Sequence, residues 1–173
     1  MGNKTYETNL EVIARIATEK EEENDYFLQY IRYRDGQQLD ELAHRLNKEV
    51  GDAVDCTQCG HCCSHLMVNI LPHEIENLAN YLGKTVEETK EEHIEESLAG
   101  RCIIKSIPCH FLDDKKCSIY ETRFKECREF PHLHKPRFKE RLLGTLLHYG
   151  SCPIIYNVIE EVKHETGFYT TGE

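Results

Sequence analysis

Apolar residues recur at helical spacing through most of the first fifty residues. Leu10, Ile13 and Ala17 share one face, and Phe27, Tyr30, Ile31 and Arg34 follow the same spacing further on. The charged run Glu19-Lys20-Glu21-Glu22-Glu23 reads as the solvated part of that first helix. Asp35-Gly36 marks a turn. Leu39, Leu42, Ala43, Leu46 and Val50 then form the apolar stripe of a second helix, so residues 1–53 are expected to make an N-terminal helical hairpin.

The pattern shortens after residue 54. Leu66-Met67-Val68-Asn69-Ile70 is a short strand candidate. Pro72 is placed to open a helix carrying Ile75, Leu78, Ala79 and Leu82, and Gly83 ends it. Thr85-Val86-Glu87-Glu88 fits a capping box, which predicts a further helix running to about Leu98. Residues Ile103 to Ile107 read as extended. Phe111-Leu112 and Ser118-Ile119-Tyr120 flank Asp113-Asp114-Lys115-Lys116, the turn of a β-hairpin. Helical spacing returns over about 138–148 and 154–165. The expected fold is therefore mostly α with a small β-hairpin. The helical extension of residues 1–53 would pack on a metal-stabilised cysteine-cluster domain of residues 54–173, the two making one compact unit.

Composition changes this picture through the cysteines. A chain of 173 residues buries enough apolar surface to fold without disulfides. No apolar run approaches the roughly 18 residues of a membrane span. The start Met-Gly-Asn-Lys-Thr-Tyr lacks the apolar stretch of a secretory signal, and Tyr6 departs from the myristoylation pattern. The expected location is thus the cytoplasm, with no membrane partner. In a reducing compartment nine clustered cysteines point to metal ligands or redox groups before disulfides.

The net charge of −10 is uneven. Between His73 and Ala99 eight Glu face two Lys, whereas between Arg101 and Arg141 eleven Lys or Arg face six Asp or Glu. Overall acidity argues against nucleic acid as a partner, because such binding rests on phosphate neutralisation. The basic segment reads instead as an offset to the negative charge of a thiolate metal cluster, with an ordinary solvated surface as the alternative.

The run Cys56-Thr57-Gln58-Cys59-Gly60-His61-Cys62-Cys63 carries the candidate chemistry. Two cysteines separated by two residues reach one tetrahedral metal, and Cys56/Cys59 and Cys59/Cys62 both have that spacing. Cys62 and Cys63 are neighbours, an arrangement that rarely serves one ion. Either one of them serves a second metal or the cluster takes a ligand from elsewhere, so the run is half of a ligand set. Cys109, Cys117, Cys127 and Cys152 are candidates for the other half, and eight thiolates are enough for two four-coordinate sites or one iron–sulfur cluster with spare thiols. Cys56, Cys59 and Cys62 share the C-x2-C-x2-C spacing of a ferredoxin site but lack its following Cys-Pro. Zinc suits the same soft ligands. The expected cofactor is zinc or iron, the latter including an iron–sulfur cluster.

Further segments carry a resemblance. Glu74-Ile75 with Leu78-Ala79 and Leu82-Gly83, Pro108-Cys109-His110-Phe111-Leu112, Cys117-Ser118-Ile119-Tyr120-Glu121-Thr122-Arg123, Cys127-Arg128-Glu129-Phe130-Pro131 and Cys152-Pro153 follow the cysteine run in order. Together they resemble the YkgJ-like family of cysteine-cluster proteins, described as zinc- or iron-chelating domains with a CxxCxxCC motif. The resemblance covers about residues 54–153 and implies metal chelation. Phe124 departs from it, since Pro commonly follows that Arg, and Cys102 matches no motif and reads as a small buried residue or free thiol. His61, His65 and His110 lie near the cysteines but are expected beside the metal, not on it. His132 and His134 read as surface residues. Arg123 and Arg128 are candidates to face thiolates or a carboxylate.

Three functions compete. A structural metal site acting as a binding or scaffolding domain leads, because closed four-thiolate sites leave no open position for water. An iron–sulfur redox protein is second. An enzyme, such as a protein methylase or thiol–disulfide oxidoreductase, is third. A related cysteine motif occurs in a flagellin lysine methylase family, but the chain has no Gly-rich cofactor loop and no βαβ context around Cys56 and Cys59. The balance falls against catalysis, and a protein partner stays open.

Overall fold

A computed structural model of the chain describes residues 4–169. Residues 1–3, part of the reading against a secretory signal, and residues 170–173, the end of the expected second domain, lie outside them. The chain runs through α1 (Leu10–Glu19), α2 (Glu21–Ile31), α3 (Gly36–Ala53), a 3-10 turn at Cys56–Gln58, α4 (His61–His65), β1 (Asn69–Ile70), α5 (Pro72–Leu82) and α6 (Val86–His93). It continues with β2 (Ile94–Glu96), β3 (Cys102–Ile104), β4 (Leu112–Asp113), β5 (Lys116–Cys117), a 3-10 turn at Tyr120–Thr122, α7 (Lys125–Glu129), α8 (Phe138–Leu146) and α9 (Pro153–Glu165). The fold is mostly helical with a little antiparallel sheet, as the periodicity predicts. Among the described residues no helix is long and apolar enough to cross a membrane.

Two compact units divide the chain: Met1–Asp55 with Pro131–Glu173, and Cys56–Phe130. The sequence-based boundary at 53/54 lies close to the start of the second unit. The C-terminal helices, however, group with the N-terminal ones, because α3 packs against both α9 and α8. Leu39, Ala43, Leu46 and Val50 are the buried face of α3, and Val158, Ile159 and Val162 that of α9.

The long first helix expected from the sequence is two helices. Asn9 caps α1 by accepting from the Glu11 and Val12 N–H groups, and α1 ends where Lys20 leaves helical geometry at φ −102°, ψ 14°. The charged run is not merely solvated. Lys20 pairs with Glu160, and the almost buried Lys163 donates to Glu23 at 2.7 Å and Glu160 at 2.8 Å. Tyr149, also buried, donates to Glu160 at 2.9 Å. Burial pushes the Glu160 carboxyl up, but Lys163 and Lys20 outweigh it and hold it below the ordinary range. The breaking residue thus joins a largely buried charge network that ties α1 and α2 to α9.

In the other unit a three-stranded antiparallel sheet has the order β1-β3-β2, with Ile70 opposite Cys102 and Ile94 opposite Ile104. Pro72 opens α5 and Gly83 closes it in the left-handed region at φ 67°. The Thr85 box forms, with Glu88 N–H bonded to the Thr85 hydroxyl and the Glu88 carboxylate accepting from Thr85 N–H. Its helix stops at His93, short of the expected Leu98, because Ile94 is buried and pairs in the sheet. The predicted hairpin forms as β4–β5, turning through Asp114 at φ 54°. Ile70, Ile75, Leu78, Ile94, Ile104, Phe111, Ile119 and Phe124 make the core of this unit.

Helix α8 starts from Arg137, itself left-handed and without a side-chain cap of its own. Asp40 of α3 supplies the cap, accepting the Arg137 N–H at 2.8 Å and the Phe138 N–H at 2.7 Å. Asp40→Ala should therefore cost about 1 kcal/mol, the usual effect of losing a cap. In thermal denaturation this lowers Tm by about 2–4 °C for a chain of this size, and Asp40→Asn should restore only part of the loss, because its one amide oxygen can accept only one of the two N–H groups.

Candidate metal centre

The cysteine run folds as a tight sequence of turns. The Cys56–Gln58 3-10 turn is closed by Cys59 N–H donating to the Cys56 carbonyl at 3.1 Å. Gly60 follows at φ 65°, a left-handed conformation that costs a residue with a Cβ about 1–2 kcal/mol. A Cβ there would also stand 3.0 Å from Lys115 Cα, so a larger residue would add a tight contact with the β4–β5 turn to the backbone strain. Helix α4 then carries Cys62 and Cys63, whose sulfurs are 4.0 Å apart.

Downstream segments meet this run. Cys109 N–H donates to the Cys63 carbonyl at 2.8 Å, and Leu112 N–H returns to the Cys109 carbonyl at 2.9 Å. The hairpin register sets Cys117 opposite Leu112. Cys109, Cys117 and Cys127 all pack against the core of the unit. Helix α7, which carries Cys127, was not expected from sequence. It is held from two sides. Glu126 accepts from the Asn69 backbone N–H at 2.9 Å and its side-chain amide at 3.1 Å. Glu74 of α5, only 5% exposed, accepts the Leu71 N–H at 2.9 Å and the Lys125 N–H at 2.5 Å. The Arg128 guanidinium lies 3.9 Å from the same carboxylate.

Burial dominates the electrostatics of these thiols. Burial pushes the Cys127 thiol up to about 12, and Cys63, Cys109 and Cys117 push the same way against the Arg123 guanidinium. Cys109 is raised first by burial and then by Cys63 and Cys117, with the Phe111 and Leu112 N–H groups opposing as donors toward its sulfur. Cys117 is raised by burial, opposed by the Ile119 N–H and Arg123. Cys63 is raised by its hydrogen bond with Cys62 and by burial, again against Arg123. These thiols are closely spaced and supplied with backbone donors that favour the thiolate.

The predicted residues therefore separate. Cys109, Cys117 and Cys127 pack on one core; the Cys63 carbonyl accepts from Cys109 and its sulfur lies beside that of Cys62; Cys59 is half-buried and Cys56 exposed on the preceding turn. Cys152 belongs to the other unit, where it precedes α9 and is buried. Cys102 is a buried strand residue of β3. His61 and His65 stack on each other at 4.0 Å, and His110 stacks on His93 at 4.4 Å while its Nδ1 meets the Ser106 hydroxyl at 2.9 Å. Arg123 lies over the Tyr120 ring at 3.8 Å. Phe124 keeps φ −58°, a value natural to the proline it replaces, and buries its ring in the core. Glu74 and Glu126 were missed as supports for the site; the glutamate after Pro72-His73 was visible only as part of a family motif.

Among the described residues no three Cys, His, Asp or Glu side chains already stand in closed metal-ligand geometry. The donor set still suits a thiophilic ion. The 4.0 Å between Cys62 and Cys63 sulfurs is close to the edge of about 3.8 Å that a tetrahedron of Zn–S bonds requires. A cysteine also needs only a χ1 rotation to move its sulfur.

A family model described as "CxxCxxCC: Putative zinc- or iron-chelating domain" matches residues 55–144. The chain belongs to this family. No curated protein and no solved structure matches the chain. The CxxCxxCC assignment agrees with the resemblance carried by the cysteine run and its downstream motifs, and its description supports metal binding.

Glu74 provides a test of how the site is built. Glu74→Ala orphans two backbone donors, each worth about 1–3 kcal/mol when buried. The variant should unfold at lower denaturant and exchange the Lys125 amide faster, whereas Glu76→Gln on the exposed face of α5 should change neither. Equal exchange at Lys125 in both variants would show that Glu74 does not hold α7.

Proposed function

We propose that this chain is a metal-binding domain that chelates zinc or iron through thiolates drawn from its eight motif cysteines, and that the metal is structural. The observation that carries the reading is the packing of thiols from the Cys109 loop, β5 and α7 on one small core, with the Cys109 N–H bonded to the Cys63 carbonyl of α4. An ion bound there would link four segments distant in sequence, so that binding free energy becomes folding free energy. Arg123, which opposes the mutual repulsion of three of these thiols, fits the same purpose. Four thiolates serve zinc, a single iron or a [4Fe–4S] cluster.

Anaerobic purification followed by elemental analysis and a visible spectrum tests the reading and separates these metals. Metal should co-purify with the chain, and a chelator should lower its Tm. Cys127→Ser should lose the metal, whereas Cys102→Ser, which alters a strand residue outside the motifs, should keep its full content. A chain that folds normally and takes up neither metal would end this reading.

A further inference from the structure

The basic segment singled out by the sequence divides between the two units. Its last four cations, Lys135, Arg137, Lys139 and Arg141, belong to the helical unit. Lys139 Nζ donates to the Arg34 carbonyl at 3.1 Å and to the Arg32 carbonyl at 3.5 Å, which sets the first turn of α8 against the end of α2. Asp40 of α3 holds the Arg137 and Phe138 N–H groups and fixes Arg137 in its left-handed conformation at φ 62°, ψ 44°. Arg141 is spent locally, on the His132, Lys135 and Pro136 carbonyls. Arg34 lies over the Tyr30 ring and donates to the Thr166 carbonyl. The Arg32 and Arg137 side chains, by contrast, are exposed. Between Arg32 and Arg34 the Tyr33 side chain stands 90% exposed.

We propose that this corner of α2, α3 and α8 docks an acidic segment of a partner protein, with Arg32 and Arg137 pairing to carboxylates and Tyr33 covering apolar side chains between them. Across residues 32–41 and 135–141 six Lys or Arg face four Asp or Glu, in a chain whose net charge is −10. Three of those four carboxylates are already hydrogen-bonded. Asp35 accepts the Gln38 N–H, Asp40 the Arg137 and Phe138 N–H groups, and Glu41 the Gln37 side-chain amide. The positive face is local, and at physiological salt a Debye length of about 8 Å screens it from acidic charge elsewhere. Guanidinium groups match carboxylates through two parallel N–H···O bonds, and Arg and Tyr are the side chains that protein interfaces favour. A nucleic acid fits the corner less well. It brings a charge at every nucleotide and binds by having many of them neutralised, whereas the exposed guanidiniums here are few and the chain as a whole repels a long polyanion.

Fluorescence anisotropy of a short labelled peptide with Glu and Leu at alternate positions, titrated with the full chain as purified, tests the proposal independently of the metal. The peptide should bind, and more weakly as salt rises, while its counterpart with Lys in place of Glu should not bind. Arg32→Ala/Arg137→Ala should weaken binding about tenfold, the equivalent of ~1.4 kcal/mol. Both side chains are exposed, so this variant should keep the wild-type circular dichroism and Tm. Arg15→Ala/Lys48→Ala removes the same charge from exposed positions on α1 and α3 and should leave binding unchanged. An equal loss in the two double variants would reduce the effect to net charge and overturn the docking surface. Absence of binding by the acidic peptide overturns it too. So does a uridine oligonucleotide of equal charge that binds more tightly than the peptide and loses that binding with Arg32 and Arg137.

Discussion

The buried Glu74 carboxylate is the constraint on which the cysteine-rich unit turns. One oxygen accepts the Leu71 N–H at the start of α5, and the other reaches the Lys125 N–H at the start of α7. A carboxylate in such a place is tolerated only when its lone pairs are used, and here both oxygens are bonded with Arg128 nearby. The same contacts set the height and direction of α7, and with it Cys127, over the core beside Cys109 and Cys117. A helix of five residues has too few internal hydrogen bonds to place itself. Its position is imposed by Glu74 on one side and by the Glu126–Asn69 pair on the other.

What could be read in advance were features whose physical cause is local. Pro72 at the first position of α5, Gly83 after it and the Thr85-Glu88 box each act within four residues, and each appears as expected, whereas the Asp35-Gly36 pair read as a turn is the N-cap and first residue of α3. The differences arise where a distant partner decides. Lys20 sits in a sequence that reads as helix, yet the helix breaks there and the side chain joins Glu160, far along the chain. Ile94 continues a helical pattern until Ile104 offers it a strand partner. The cap of α8 comes from α3, through Asp40, and no spacing rule reaches from residue 40 to residue 138.

The cysteines follow the same logic. Their number and order were enough to indicate metal, and spacing naturally favoured the C-x2-C pairs. Which sulfurs meet depends on hairpin register, on Gly60 approaching Lys115 and on the hold on α7, none of which is a property of spacing. Cys63, which spacing could not separate from its neighbour Cys62, is the one whose carbonyl receives the Cys109 N–H. Cys102, which no motif claimed, is indeed a strand residue of the core.

The two units treat buried ionisable groups in opposite ways, and the contrast bears on what the second one requires. In the helical unit Glu160 and Glu23 are met by Lys163, and Glu160 also by Lys20 and the Tyr149 hydroxyl; the cations outweigh burial and keep the Glu160 carboxyl low. In the cysteine unit the half-buried thiols pack on an apolar core, and burial pushes them up. Each raises the next, and a single guanidinium, Arg123, opposes three of them. Binding a thiophilic ion requires such thiols to give up their protons. A divalent ion amid these sulfurs would do for the thiolates what Lys163 does for Glu23 and Glu160, and with full bonds in place of ion pairs. The lysines of the helical unit are encoded in the chain; for the cysteine unit the family description points to a metal ion as the cation.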